Sequence, residues 1–567
     1  SEDPAVVGGV RAAMPAIEAL VEEFARVAEA LRIGGGSSNA WVADGTRTRS
    51  GRPLLANDPH LAVQLPSTWY ECELEAPGLH VTGATLPGLP GVMIGHNEDV
   101  AWGITASMAD VQDVAVVQPD VAARAPRLPE RIKVRGANAV VEEVAVVDEG
   151  PIIERQGDGR ALAMRATFLE PRPMAAGVLG LMQSRDVESA RRALAEHVAP
   201  ALCYTLADKH GGIGFQVAGL IPKRRGTSGF LPWPAGDARF GWDGFVPFAE
   251  LPHRTESDDG VLFTANNQIE AGPSLNVPGE FADGYRARRI GQLLGARDHF
   301  EVADFWQMQG DAYALHAEEL LASVADWQPS DVALKAALGR LRLWDRRMLV
   351  TSRDAAVFET FLLRLMWNVL HAKIGRLAEL YLGRPAEGRG RSAPLCWRVT
   401  SLCLAAIEKD TGWFTREERE KILNRSLREA LNELARKLGP EPRRWRWGRL
   451  HRVHFRHALS ALPALGKVFD RGDIPVPGDM HTVWQTAYLT YEPFEVKAWT
   501  ASYRQVIDVG NWENCWAMHA PGQSGRPGNA HYADRLEGWA EVRYHPMTFS
   551  RAAAEANAER TIKLEPA

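Results

Sequence analysis

The chain has 567 residues, of which 46% are hydrophobic and 24% are charged, and its net charge at pH 7 is −6. The length allows roughly two to four domains, and the composition excludes disorder over most of the chain. Because there is no positive excess and no apolar run near the roughly 20 residues that cross a bilayer, we expect neither a nucleic-acid partner nor membrane insertion.

The first predicted element is one amphipathic helix. Between Ala16 and Leu31 the apolar residues recur at helical spacing, with glutamate and arginine on the other face. This helix leads into the linker Gly34-Gly35-Gly36. The linker lacks the Lys-Ser/Thr that ends a phosphate-binding loop, so we expect no such loop here. We also expect no organic cofactor.

The rest of the chain falls into three regions. Residues 38–284 are mainly β, because short strand-like runs alternate with glycine and proline turns. Residues 285–440 show long helical periodicities and predict a helical insertion, and residues 441–567 return to mixed strand and loop. The clearest strand-like runs are 41–43, 114–117 and 143–147, and the clearest helical runs are 355–370 and 416–438.

Arginine and tryptophan alternate from Arg443 to Arg449. This alternation predicts a strand with one packed tryptophan face, and a basic aromatic patch for nucleic acid is the alternative. The five cysteines are widely scattered and predict neither a disulfide framework nor a zinc knuckle.

Ser38 lies where the glycine run ends, in the sequence Gly36-Ser37-Ser38-Asn39-Ala40-Trp41. A flexible glycine stretch that meets a small nucleophile looks like a self-cleavage site. Cleavage before Ser38 would turn its amide nitrogen into an amine with a pKa of roughly 7.7 to 8.0, which can activate the serine hydroxyl. The junction therefore predicts a maturation step together with a mechanism.

Further motifs follow Ser38 over nearly all of the remaining chain. They include Asn57-Asp58-Pro59-His60, Thr264-Ala265-Asn266-Asn267, Gly284-Tyr285-Arg286 and Ala520-Pro521-Gly522-Gln523. With these motifs in this order, the sequence resembles the penicillin acylase family of N-terminal-nucleophile hydrolases. That family includes β-lactam acylases and acyl-homoserine lactone acylases.

The resemblance implies an α+β fold with a four-layer αββα core and a helical insertion. It also implies that residues 1–37 are the end of an α-subunit or its spacer, and that residues 38–567 are the β-subunit. The α-segment would be a partner in a processed heterodimer, and the location would be periplasmic or secreted. Because the family has a longer segment before the nucleophile, we expect either a missing upstream part or a chain still joined to its spacer.

Within the family's pattern Ser38 is the nucleophile, and its amine is the general base through a bridging water. Ser37 is the neighbouring alternative. Family members place asparagine directly after the nucleophile and tryptophan three positions beyond it, which favours Ser38 over Ser37 because Asn39 and Trp41 follow at those positions. As long as Ser38 remains internal its nitrogen has no basicity, so we expect the uncut chain to be inactive.

The resemblance assigns the oxyanion hole to Asn266, through its side chain, and to Ala106, through its backbone N–H. If the alignment is shifted by one residue, Asn267 takes this role instead of Asn266. The alternative without a catalytic role is that Asn266 is an asparagine in a turn. Arg286 matches an arginine near the substrate or its asparagine partner, whereas a lone arginine is more often part of a surface ion pair.

His60 occupies a position where several family members carry histidine close to the nucleophile. It could hold the serine hydroxyl or the substrate carbonyl, and the alternative is a satisfied core histidine. Members that select phenylacetyl groups have an aromatic residue directly after this position, whereas this chain has Leu61. We therefore expect a differently shaped acyl pocket that tolerates aliphatic chains.

Asp110 and Asp113 align with calcium-binding carboxylates of some family members. Calcium prefers such hard oxygen ligands, but two carboxylates are not a full site. Structural calcium is thus an expectation that rests on the resemblance.

Together these patterns predict an amidohydrolase that cleaves an N-acyl bond through an acyl-enzyme on Ser38. A catalytically silent acylase-like protein that binds N-acyl compounds is the second hypothesis. A conventional Ser-His-Asp hydrolase is a third, although no nucleophile-elbow motif is present. The choice among β-lactam, lactone-signal and lipopeptide amides stays open at this point.

Overall fold

The computed structural model describes residues 36–173, 175–269, 277–383, 399–409 and 411–565. The amphipathic helix predicted between Ala16 and Leu31 lies outside these residues. Across the part of the chain that is described, no helix is long and apolar enough to cross a membrane. Helices and strands are both present and lie largely in separate parts of the described chain, which confirms the predicted α+β class.

Strands form most of the first half of the described chain and return near its end. In the first part of the chain they are β1 (Ser37–Ala43), β2 (Leu54–Ala62), β3 (Gln64–Leu65), β4 (Tyr70–Ala76), β5 (Leu79–Thr85), β6 (Ile94–Asn97), β7 (Val100–Ala106), β8 (Gln112–Val117), β9 (Arg127–Ile132), β10 (Val140–Val147), β11 (Gly150–Arg155) and β12 (Ala161–Ala166). They continue with β13 (Leu202–Asp208), β14 (Ile213–Ala218), β15 (Pro222–Arg225), β16 (Trp233–Pro234), β17 (Gly241–Phe245), β18 (His253–Arg254), β19 (Val261–Thr264), β20 (Arg452–His457), β21 (Arg471–Pro475), β22 (Trp499–Ala501), β23 (Tyr503–Asp508), β24 (Trp516–His519) and β25 (His545–Pro546). The three strand-like runs predicted from the sequence lie in β1, β8 and β10 and are confirmed.

Helices are concentrated between residues 285 and 438. In chain order they are α1 (Pro119–Arg124), α2 (Ala176–Met182), α3 (Val187–Leu194), α4 (Tyr285–Gly295), α5 (Val302–Gln309), α6 (Leu315–Ser323), α7 (Val332–Leu343), α8 (Arg353–Ile374), α9 (Ala378–Leu382), α10 (Val399–Ile407), α11 (Arg416–Leu438), α12 (Pro463–Phe469), α13 (Leu536–Ala540) and α14 (Arg551–Ala556). Both predicted long helices are confirmed as α8 and α11.

Two antiparallel sheets stack face to face and form the centre of the molecule. We call the first the nucleophile sheet; its strands run in the order β19-β1-β2-β23-β24-β25, and β22 also pairs with β2. We call the second the facing sheet, with the order β18-β14-β13-β7-β6-β5-β4. Alternate side chains of β1 point to opposite sides, so Val42 packs between the sheets while Trp41 packs on the outer side.

Helices cover the outer face of each sheet. Trp41 and its neighbours pack against apolar residues of α4 and α5, such as Ile290 and Phe305. On the other side, Trp102 of β7 packs against residues of α2 and α3, such as Leu181 and Leu194. The order is therefore helix, sheet, sheet, helix, which is the expected four-layer αββα arrangement.

The two sheets approach closely beneath β1. A Cβ atom on Gly103 of β7 would lie 2.6 Å from the Cβ atom of Asn57 in β2, so only glycine fits there. The Asn57 side chain donates to the carbonyl oxygen of Ile104 (2.9 Å) and accepts from its N–H (3.0 Å). These bonds fix the end of β7, including Ala106, relative to the nucleophile sheet.

The helical region has its own apolar core, centred on α8 and α11. The Ser352 side chain caps α8 by accepting from the N–H of Ala355, and a capping box between Thr415 and Glu418 begins α11. The helix-period apolar residues seen in the sequence thus face one another across this pair of helices.

The prediction of a strand between Arg443 and Arg449 is wrong. This segment forms two 3₁₀ turns, Pro442–Arg444 and Trp447–Arg449. Trp445 and Trp447 are buried nonetheless, and the Nε1 atom of each donates to a backbone carbonyl oxygen. The tryptophans are packed as expected, but 3₁₀ turns and not an alternating strand bury them.

Candidate active site around Ser38

Ser38 lies on β1, in the interior of the nucleophile sheet. β1 pairs with β2 on one side and β19 on the other, and the register places Ser38 opposite Pro59 and Ser37 opposite His60. Both serines are buried. The peptide bond that we predict to be cleaved therefore lies at the start of β1, where β1 pairs with β2; the pairing with β19 begins at Ala40.

The backbone around Ser38 is held by specific polar contacts. The N–H of Ser38 donates to Oδ1 of Asn266 over 2.6 Å. The Ser38 hydroxyl donates to the carbonyl oxygen of Ser37 over 2.5 Å. The hydroxyl is therefore already adjacent to the carbonyl group of the Ser37–Ser38 bond.

Asn266 reaches Ser38 because of an unusual backbone conformation just after β19. Its φ is 61°, a left-handed value that asparagine tolerates better than most residues. Its Nδ2 atom donates to the carbonyl oxygen of Ala106 over 2.9 Å. Asn267, the register alternative, instead accepts through Oδ1 from the N–H of Ala265. The structure therefore brings Asn266, Ala106 and Ser38 together.

Arg286, in the first turn of α4, joins three acceptors at this site. It donates to the carbonyl oxygen of Ser38 (2.9 Å), to Oδ1 of Asn39 (2.7 Å) and to Oδ1 of Asn266 (3.0 Å). The side chain is buried, so the surface ion-pair alternative is wrong. Burial lowers the pKa of Arg286 to about 10, which leaves the guanidinium charged at neutral pH.

His60 lies beside Ser37 and has two well-defined partners. Its Nε2 atom is 2.6 Å from Oδ2 of Asp58, and its Nδ1 atom is 2.7 Å from Oε1 of Gln485. Nδ1 is also 3.1 Å from the Ser37 hydroxyl oxygen, which donates to Gln485. Burial lowers the pKa of His60, and the hydrogen bond and charge of Asp58 oppose that shift.

Gln485 is oriented by two further hydrogen bonds. Its Nε2 atom donates to the carbonyl oxygen of Met480 (2.6 Å), and its Oε1 atom accepts from Nε1 of Trp499 (2.9 Å). Oε1 can only accept: it accepts from the Ser37 hydroxyl and from Trp499, and it lies 2.7 Å from Nδ1 of His60. Gln485 thus determines how Ser37 and His60 are held.

Sequence reasoning missed two of these contacts for different reasons. Asp58 precedes His60 by two positions on β2, and the two-residue period of a strand puts both side chains on one face, so this pairing could have been found. Gln485 is 425 residues from His60 in the chain, and no local pattern links them.

Asp110 and Asp113 are paired with an arginine. Oδ2 of Asp110 is 3.2 Å from Nη2 of Arg224, and Oδ2 of Asp113 is 2.9 Å from its Nε. Oδ2 of Asp113 also accepts from Nε1 of Trp242. Because Arg224 binds an oxygen of each carboxylate and offsets one of their two charges, the described residues do not fit a calcium ion without displacement of Arg224. Calcium binding stays an untested prediction.

The four-layer core and the buried serine strand define the fold class of the N-terminal-nucleophile hydrolases. The chain belongs to the penicillin amidase family, whose sequence profile matches residues 7–556. Its relatives are acylases, and the protein is an amide hydrolase. The family and fold implied by the motifs are thereby confirmed.

Two curated relatives and one solved structure illustrate this similarity. Acyl-homoserine lactone acylase QuiP of Pseudomonas aeruginosa is 28% identical, over 93% of this chain and 69% of its own length. Penicillin acylase 2 proenzyme of Pseudomonas sp. strain SE83 is 28% identical, over 98% and 72%. Thermostable penicillin G acylase from Alcaligenes faecalis superposes with a TM-score of 0.73 at 20% identity, covering 93% of this chain and 99% of that one. This last similarity shows the shared fold.

Proposed function

We propose that this protein hydrolyses N-acyl amides by nucleophilic attack of Ser38 after the chain is cleaved between Ser37 and Ser38. The observation that carries the proposal is the set of contacts at Ser38. Asn266 binds its nitrogen, Arg286 binds its carbonyl oxygen, and its hydroxyl lies 2.5 Å from the Ser37 carbonyl oxygen. A serine placed in this way can act first on its own peptide bond and then on a substrate.

In the proposed maturation step, Oγ of Ser38 bonds to the carbonyl carbon of Ser37. The bond from that carbon to the Ser38 nitrogen breaks, and the hydroxyl proton ends on the nitrogen. Water then hydrolyses the resulting ester, which leaves a carboxylate on Ser37 and an amine on Ser38. The amine gains the basicity that the peptide nitrogen lacks.

In the proposed hydrolysis, the Ser38 amine accepts the hydroxyl proton through a water while Oγ bonds to the substrate carbonyl carbon. The second Nδ2 hydrogen of Asn266 and the N–H of Ala106 would stabilise the oxyanion. The scissile C–N bond breaks, and the proton passes to the leaving amine. Water then attacks the acyl-enzyme, which releases the acid and restores Ser38.

The relatives indicate the substrate class. They are named as acyl-homoserine lactone acylases and penicillin acylases, so we propose small N-acyl compounds of these two kinds as substrates. We further propose that an upstream α-segment is the partner of residues 38–567 and that the enzyme acts in the periplasm or outside the cell. These last two proposals rest on the family resemblance.

Ser38→Ala and Ser37→Ala form a matched pair for testing the proposal. We expect Ser38→Ala to remain uncut in mass spectrometry and to hydrolyse neither acyl-homoserine lactones nor penicillins. Ser37→Ala keeps the nucleophile, so we expect it to be cut and active. An acyl-phosphonate probe should label the Ser38 peptide of the wild type. The mechanism would be refuted if Ser38→Ala hydrolysed these substrates as fast as the wild type. If the wild type bound N-acyl compounds but formed no covalent adduct with the probe, the hypothesis of a catalytically silent binding protein would be favoured.

A further inference from the structure

Three buried side chains with metal-binding atoms converge next to the helical region. His316 is on α6, Glu359 is on α8, and Asp479 lies in the loop after β21. All three are at most 1% exposed. One ligand atom from each lies within 4.8 Å of the others, although the residues are far apart in the chain.

Several atoms of this cluster lack partners. Oε1 of Glu359 accepts from the hydroxyl of Tyr488 (2.6 Å), and Oδ1 of Asp479 accepts from two backbone N–H groups. The other oxygens, Oε2 of Glu359 and Oδ2 of Asp479, have no hydrogen-bond partner among the described residues, and neither has either ring nitrogen of His316. Nε2 of His316 lies 3.2 Å from Oδ2 of Asp479, which is within ion-pair distance but outside hydrogen-bond geometry.

Aromatic rings surround the cluster and separate it from solvent. The ring centroid of His316 is 5.5 Å from that of Tyr285, 5.3 Å from that of Phe358 and 4.8 Å from that of His481. Two carboxylates in such a site repel each other and lose hydration. A cation among the unpartnered atoms would relieve both costs.

We propose that His316, Glu359 and Asp479 bind a divalent transition-metal ion of the zinc type. One imidazole nitrogen and two carboxylate oxygens are ligands that zinc accepts, commonly with a further position for water. Calcium fits less well because it takes six to eight oxygen ligands. Two carboxylates and a neutral imidazole also balance the charge of one divalent ion.

This site is separate from the Asp110–Asp113 pair and supports the loop that carries Gln485. Asp479 binds the N–H groups of His481 and Thr482, and Gln485 follows three residues after Thr482. Gln485 in turn contacts His60 and Ser37. A metal ion bound to Asp479 would therefore have a structural role. It would hold this loop in position and would not contact the scissile bond.

Zinc binding by the full chain can be measured directly. The protein is treated with a chelator, dialysed, and titrated with zinc alone; metal content is read by mass spectrometry and the thermal midpoint by calorimetry. We expect one zinc ion per chain and a higher midpoint with zinc. Glu359→Gln and His316→Gln should each weaken binding more than about 10-fold, because each removes a ligand.

The matched control is His531→Gln, which removes an exposed histidine that lies between two carboxylates, Asp534 and Glu559. We expect this variant to bind zinc as the wild type does. The proposal is overturned if the wild type binds no zinc, if Glu359→Gln and His316→Gln bind as tightly as the wild type, or if His531→Gln alone loses the ion. Using two ligand variants keeps the test decisive if one of them fails to fold.

Discussion

Replacing Asn266 by aspartate tests the proposed oxyanion role with little disturbance of the backbone. The φ of 61° at this position is one that aspartate also tolerates. A carboxylate keeps an acceptor for the N–H of Ser38 and for Arg286. What it loses is the Nδ2 donor, which binds the Ala106 carbonyl oxygen over 2.9 Å.

The expected effect on catalysis is large and the effect on stability is small. Loss of one oxyanion donor costs about 2.7–4 kcal/mol, or about 10²–10³-fold in kcat. Asn266→Asp also places negative charge where the oxyanion forms, so we expect the upper end of that range. The lost hydrogen bond to Ala106 lowers the free energy of unfolding by about 1–2 kcal/mol, and the charge of Arg286 offsets part of this.

The assay measures kcat with an acyl-homoserine lactone and a penicillin, normalised to the cleaved chains that an acyl-phosphonate probe titrates. Urea unfolding gives the stability in parallel. Asn267→Asp is the matched control, because it makes the same chemical change one residue away on a side chain that binds Ala265 instead of Ser38. The reasoning is refuted if Asn266→Asp keeps kcat within about threefold of the wild type, or if Asn267→Asp loses as much.

Three further predictions concern other parts of the molecule. We expect Arg286→Lys to slow cleavage before Ser38 in a mass-spectrometric time course and to lower the free energy of unfolding by about 1–3 kcal/mol. The reason is that a single ammonium group cannot reach all three buried acceptors. Unchanged cleavage and stability would contradict this prediction. Burial lowers the pKa of His96 from 6.5 to about 4. The unfolded chain therefore binds more protons between these values, and the stability that His96 contributes is complete above about pH 6.5 and is lost as the pH falls toward 4. In urea unfolding, the free energy of unfolding of the wild type should fall by about 2 kcal/mol between pH 7 and pH 5, and that of His96→Phe should not show this fall. Equal pH dependence in the two proteins would contradict the prediction. Asp113→Asn should cost about 1.5–3 kcal/mol of stability, because Arg224 loses a charged hydrogen-bond partner and keeps only the ion pair with Asp110. Since that guanidinium already occupies an oxygen of each carboxylate, the thermal midpoint of the wild type should not change with added calcium. A rise that Asp113→Asn abolishes would instead support the calcium site.

Residues close together in the sequence allowed part of the candidate site to be predicted. The run from Gly34 to Trp41 pointed to Ser38, and the motifs around His60, Asn266 and Arg286 pointed to its neighbours. In the structure these segments are β1, its partner β2, the end of β19 and the first turn of α4. The resemblance of these motifs to the penicillin acylase family, and not the local pattern of any one motif, assigned them to a single site.

The secondary-structure prediction was wrong where tertiary packing determined the backbone conformation. The alternation from Arg443 to Arg449 predicted a strand, but the buried positions of Trp445 and Trp447 are reached by 3₁₀ turns. The alternation of arginine and tryptophan predicts which side chains are buried, but a strand and a pair of 3₁₀ turns can both bury them. The surrounding helical core decided the path.

The sequence by itself determined the family, the mixed fold class, the long helices and the position of the candidate nucleophile. The tertiary structure alone decided that Gln485 holds His60 and Ser37, that Arg224 pairs with Asp110 and Asp113, and that His316, Glu359 and Asp479 meet in a buried cluster. These contacts join residues about 40 to more than 400 positions apart. Their partners are selected by how sheets and helices pack, and that selection leaves no local pattern in the chain.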